Sequence, residues 1–105
     1  MYARLTLLEI DTVRMSMESA LEHYREVIVP MLHEQPGYLG VYVLSTPDGK
    51  GAVLSLWEEE AQAATENQAF YGEALGSFAT FFRAPPGRER YEVVYVEEPK
   101  GSAVR

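Results

Sequence analysis

The stretch "YLGVYVLSTPDGKGAVLSLW", residues 38 to 57, constrains this chain more than any other part of it. Two runs of β-formers flank Pro47, Asp48 and Gly49. Proline presets φ and glycine accepts the positive φ of a tight reversal, so a β-hairpin is predicted. Upstream, "YARLTLLEI" at Tyr2 to Ile10 reads as a strand. Ser16 is a plausible N-cap, and Met17, Leu21, Tyr24, Ile28 and Met31 then draw one apolar stripe down a helix that ends near Gln35, before Pro36 and Gly37. Pro30 lies inside that helix and is expected to kink it or break its last turn. A second helix is expected from about Glu59 to Phe82, carrying Tyr71, Leu75, Phe78 and Phe82 at helical spacing. "APPG" turns the chain, and "RYEVVYVEE" reads as the last strand.

The order βαββαβ predicts a ferredoxin-like α+β fold, a four-stranded antiparallel sheet with both helices on one face. At 105 residues this is one domain, set at 1–97, with 98–105 as a polar tail.

Composition removes several kinds of chemistry. With no cysteine there is no disulfide framework, thiolate nucleophile, Cys-ligated zinc or iron–sulfur cluster. A net charge of −7, with nine scattered Lys and Arg, argues against nucleic acid as a partner. No run of 18 apolar residues suggests a membrane span, and charge interrupts the N-terminal stretch before a signal-like segment can form, so a cytoplasmic protein is expected. His23 and His33 stand ten residues apart, too far around a helix for a shared metal site, and no metal is expected.

The strands carry a further message. Helices cover one face of such a sheet, yet both faces are apolar. In the second strand Leu39, Val41 and Val43 oppose Tyr38, Tyr42 and Leu44; in the third, Ala52, Leu54 and Leu56 oppose Val53, Ser55 and Trp57; in the last, Tyr91, Val93 and Tyr95 oppose Val94 and Val96. The uncovered face would be a large apolar patch, and a second copy packed sheet against sheet is its simplest cover. A homodimer is expected. Either set could face outward, because a one-residue slip in register exchanges the faces.

"QPGYLGVYVLSTPDGKGAVLSLWEEEAQAATEN" resembles the dimeric α+β barrel proteins of the antibiotic biosynthesis monooxygenase domain family, which place a "PG" helix stop, a hairpin and a Trp followed by acidic residues in this order. The resemblance covers Tyr2 to Glu97. It implies oxygen insertion into a phenol or quinol, with the deprotonated substrate supplying the electrons and no flavin or metal as cofactor. Trp57 matches the family's Trp. The haem-degrading branch has an iron-ligating His about ten residues later, where this chain has Asn67, and a first-strand Asn that "YARLTLLEI" lacks. Oxygenase members pair the Trp with an Asn four residues earlier, here Val53.

The candidate catalytic residues are thus Trp57, Asn67 and His23, with Tyr24, Phe70, Tyr71, Phe78 and Phe82 as candidate substrate-binding residues. Each has a plainer reading. Trp57 is core filler or a pocket wall, Asn67 a helix cap or a pocket donor, His23 a boundary residue or a base, and the aromatic set simple core. "EEE" at Glu58 to Glu60 reads as a solvated helix start. Two classes of function remain, a cofactor-independent monooxygenase of a small aromatic and a non-catalytic binding or regulatory dimer of the same fold.

Overall fold

The computed structural model describes residues 1–64 and 87–99, as strand β1 (Tyr2–Glu9), helix α1 (Met17–His23), a π-helical turn (Tyr24–Ile28), helix α2 (Val29–His33), strands β2 (Tyr38–Ser45) and β3 (Lys50–Trp57), helix α3 (Glu60–Ala63) and strand β4 (Gly87–Glu92). The strands form one sheet in the order β2-β3-β1-β4 with every pairing antiparallel. That order is the ferredoxin-like one.

The hairpin forms as its turn residues dictate. Gly49 donates its N–H to the Thr46 carbonyl, and Thr46 donates to the Lys50 carbonyl at 2.9 Å. Gly49 has φ +106°, and a Cβ there would meet the Ile10 carbonyl oxygen at 2.4 Å, so glycine is required twice over. At the start of α1, Ser16 Oγ accepts the Ser19 N–H at 3.1 Å, the expected N-cap.

Pro30 is accommodated by rewinding. Val29 N–H bonds to the Tyr24 carbonyl, five residues back, and this π turn immediately precedes the proline at the start of α2. A ring that cannot donate to its own helix is thereby absorbed without ending it. Most of the stripe packs inward. Ala20, Ile28 and Leu32 are buried, with Met17, Tyr24 and Met31 packed against them, whereas Leu21 is exposed.

Register settles which sheet face the helices cover. Tyr2 pairs with Trp57, and both belong to the cluster that α1, the π turn and α2 bury, so Tyr2, Arg4, Thr6 and Leu8 of β1 face the helices beside Val53, Ser55 and Trp57 of β3. In β2 a bulge between Tyr38 and Gly40 shifts the alternation, so Tyr38 shares the helix side with Val41 and Val43 and not the side of Tyr42 and Leu44. The opposite, open face carries Leu5, Leu7, Ala52, Leu54, Leu56, Tyr42, Leu44 and Tyr91. Leu7 is 54% exposed, Leu44 57%, Tyr42 47% and Tyr91 48%.

The last strand lies earlier than its β-formers suggest. It covers Gly87–Glu92, because pairing lasts only as long as β1: Glu92 stands opposite Tyr2, and Val93 makes one more bond to the Met1 carbonyl. Residues 93–99 continue beyond the sheet without regular structure.

Candidate functional site

Trp57 is the largest wholly buried side chain among the described residues. As the last residue of β3 it points into the layer between sheet and helices, where its ring meets Tyr38 edge-on at 5.5 Å between centroids. Tyr38 in turn meets the exposed His33 edge-on at 5.3 Å, so three rings run from the surface into the interior.

The indole hydrogen is already engaged. Trp57 Nε1–H donates to Ser55 Oγ at 2.9 Å, two residues back on the same strand face, and Ser55 Oγ lies 3.5 Å from the Arg4 carbonyl as its donor. Strand alternation puts both side chains on one face, which makes the first bond possible. Ser55 is 1% exposed, a buried hydroxyl that serves as donor and acceptor.

Above the indole sits a cation. The Arg4 guanidinium carbon lies 4.9 Å from the Trp57 ring centroid, and Arg4 Nη1 donates to the Ala63 carbonyl at 3.3 Å. Arg4 is 0% exposed. A guanidinium keeps its charge in any protein setting, so a full positive charge is held against an aromatic wall. Thr6, two residues along the same face, is buried too, and its Oγ1 has no hydrogen-bond partner among the described residues.

The end of α3 closes this corner. Glu59 and Gln62 form a reciprocal capping box, with Glu59 N–H donating to Gln62 Oε1 at 3.0 Å. Gly37, at φ +79°, leaves the space Gln62 fills, since a Cβ there would stand 1.8 Å from Gln62 Oε1. The cap fixes α3, and α3 presents the Ala63 carbonyl to Arg4. Glu58, Glu59 and Glu60 are exposed, as a solvated helix start requires.

Of the residues singled out from sequence, the structure brings Tyr24 and Trp57 into one packed cluster and places His23 half-buried at the end of α1. Asn67, Phe70, Tyr71, Phe78 and Phe82 lie outside the described residues. Arg4, Thr6 and Ser55 escaped the sequence reading. Their one sequence signal is polar residues at positions 4 and 6 of a β-strand, which on alternation alone would be assigned to solvent. Among the described residues no group of three or more His, Asp or Glu side chains is placed to hold a metal ion, and no helix is long and apolar enough to cross a membrane.

No family model and no curated protein matches this sequence. Solved structures do match its fold. A Bordetella bronchiseptica protein assigned to the antibiotic biosynthesis monooxygenases superposes with a TM-score of 0.72 at 15% identity, over 90% of this chain and 97% of that one. A monooxygenase from the ActVA-Orf6 gene of Streptomyces coelicolor, solved with nanaomycin D, gives 0.66 at 18% identity over 94% and 92%. SnoaB, a cofactor-independent oxygenase from Streptomyces nogalater, gives 0.68 at 9% identity over 90% and 94%. This chain has the antibiotic biosynthesis monooxygenase fold. In this example of the antibiotic biosynthesis monooxygenase fold, the layer between helices and sheet holds Arg4, Ser55 and Trp57 as one connected polar string.

Proposed function

We propose that this chain is a cofactor-independent monooxygenase of a phenolic or quinol-type aromatic, working in the cytoplasm as a homodimer packed through the open sheet face. One observation carries the reading: a guanidinium, two hydroxyls and an indole are buried together in a layer that packing alone would fill with aliphatic side chains. The two Streptomyces oxygenases that share this fold support it.

The reaction balances without a helper. A phenol and O₂ give a quinone and water: one oxygen atom joins a ring carbon, the other leaves as water, and the substrate supplies all four electrons. The protein's task is to favour the electron-rich anion and exclude water. Arg4 is the group suited to the anion, and the rings of Trp57, Tyr38 and Tyr24 suit a flat ligand. His23 is the candidate proton acceptor, Asn67 a candidate donor, and Phe70, Tyr71, Phe78 and Phe82 candidate walls.

A second reading, a binding or regulatory dimer without catalysis, is favoured by the Trp57 indole hydrogen, which already serves Ser55, and by Val53 where oxygenases of this kind carry Asn. Oxygen uptake with a panel of hydroquinones and dihydroxynaphthalenes separates the two. The oxygenase reading expects uptake above the protein-free rate with at least one substrate, and a fall of about tenfold or more in Arg4→Met, which removes one charge-assisted contact. Trp57→Phe, which keeps a ring and loses breadth, should raise KM. Uptake at the protein-free rate across the panel, with quenching of the lone tryptophan by the same compounds, selects the binding reading.

A further inference from the structure

Two hydroxyls are buried on the covered face of the sheet, and the fold uses only one of them. Ser55 Oγ accepts the Trp57 indole hydrogen at 2.9 Å. Thr6, 2% exposed, leaves its Oγ1 without a hydrogen-bond partner among the described residues. Val53, opposite Thr6 on β3, and Leu8, next along the same face of β1, offer it only hydrocarbon. Valine would fill the same space and suit a strand as well, without a desolvated hydroxyl. A polar group kept at that cost points to a ligand. Its place says which part of one. Tyr2, Arg4 and Thr6 follow one another along this face, opposite Trp57, Ser55 and Val53. Trp57 is anchored on one side of Arg4, with the guanidinium over its ring, and Thr6 stands on the other side, about 7 Å along the strand.

We propose that Thr6 is a specificity-determining residue, whose hydroxyl binds a second oxygen of the aromatic ligand, carried at the end of the ring system away from the oxygen that Arg4 holds. The proposal rests on the reading of Arg4 as the partner of an aromatic anion and adds the substitution pattern that the site selects. Oxygens on adjacent ring carbons reach Arg4 together and leave Thr6 unmet. In the oxygenase reaction the carbon across the ring from the phenolate is rich in electrons and must stay open to oxygen, so the second oxygen belongs on a fused ring. A hydroxyl both donates and accepts, and Thr6 therefore suits either an O–H or a carbonyl at that place. Ser55 cannot take this part, because its oxygen already serves Trp57.

Anaerobic titration calorimetry on the full-length chain reads binding apart from turnover. Native protein should bind 1,5-dihydroxynaphthalene about tenfold tighter than 1-naphthol, the worth of one ordinary hydrogen bond, whereas 1,2-dihydroxynaphthalene should show no such gain. Thr6→Val should bring the ratio between the first two ligands to about one, and Thr6→Ser, which keeps the hydroxyl, should restore it. A purely structural role for Thr6 would move all three ligands together and leave the ratio where it was. An unchanged ratio in Thr6→Val, or no preference in the native protein, overturns the role of Thr6, and oxygen uptake with 1-naphthol then leaves the oxygenase reading standing. A preference that depends on the hydroxyl, without uptake, supports Thr6 and selects the binding reading. No binding of any of the three overturns both.

Discussion

The two faces of the sheet invert the usual arrangement. The face that α1, the π turn and α2 cover holds Arg4, Thr6 and Ser55, all buried, whereas the open face holds Leu5, Leu7, Leu54, Leu56, Tyr42, Leu44 and Tyr91, several of them half exposed. Polar groups cost free energy to bury and aliphatic groups cost free energy to leave in water, so both faces forgo stability that a simple exchange of residues would recover. Such departures from the consistent pattern concentrate where a protein does something other than fold. The covered face suits recognition of a ligand, and the open one suits another protein surface.

The largest test of this contrast lies on the open face. Leu54 stands opposite Leu5 on one side and Tyr42 on the other, the middle of the apolar patch. If the open face is the proposed dimer interface, Leu54→Glu abolishes that dimer and leaves aggregated or unfolded chain, because a buried unpaired carboxylate at an interface costs several kcal/mol, roughly the stability of a whole small domain. Light scattering at micromolar concentration reads the result. A soluble folded monomer in the native protein, with Leu54→Glu harmless, would mean that the open face meets only water.

The hairpin could be read directly, since Pro47, Asp48 and Gly49 fix a turn and the turn fixes the pairing of its flanking strands. Which face met the helices could not. With apolar residues on both sides of β2 and β3, a slip of one residue leaves the pattern equally good, and the Tyr38–Gly40 bulge introduces one such slip within β2. The fourth strand was displaced because propensity favours "VVYV" while pairing stops where β1 stops, at Tyr2. Trp57 stood out in the sequence as the sole tryptophan, but its acceptor and its cation needed a register: Arg4 and Ser55 are cross-strand neighbours 51 residues apart.

On the covered face the next largest effect belongs to Trp57. Trp57→Ala deletes a fully buried ring together with its contacts to Tyr38 and Arg4, and should cost about 3–5 kcal/mol in urea unfolding. Ser55→Ala is gentler. It leaves the ring in place but strands a buried indole N–H, at a cost of about 1–3 kcal/mol, and the fluorescence of the lone tryptophan should shift to the blue as its hydrogen bond is lost. An unchanged spectrum would show that the indole finds another acceptor.

The smallest effect is expected to have the opposite sign. Thr6 Oγ1 is buried without a hydrogen-bond partner among the described residues, so Thr6→Val replaces a desolvated hydroxyl with a methyl of similar size. Stability should rise by about 1 kcal/mol, seen as a higher urea midpoint at unchanged m. Paired with oxygen uptake, the substitution sharpens the contrast between the faces. A more stable protein with weakened turnover means that the hydroxyl is kept for the ligand, at the expense of the fold. A more stable protein with unchanged turnover confines the functional polar group to Arg4 and its neighbours, Ser55 and Trp57. A less stable one means that Thr6 has a partner in the folded protein, so that its hydroxyl on that face serves the fold, as Ser55 does for Trp57.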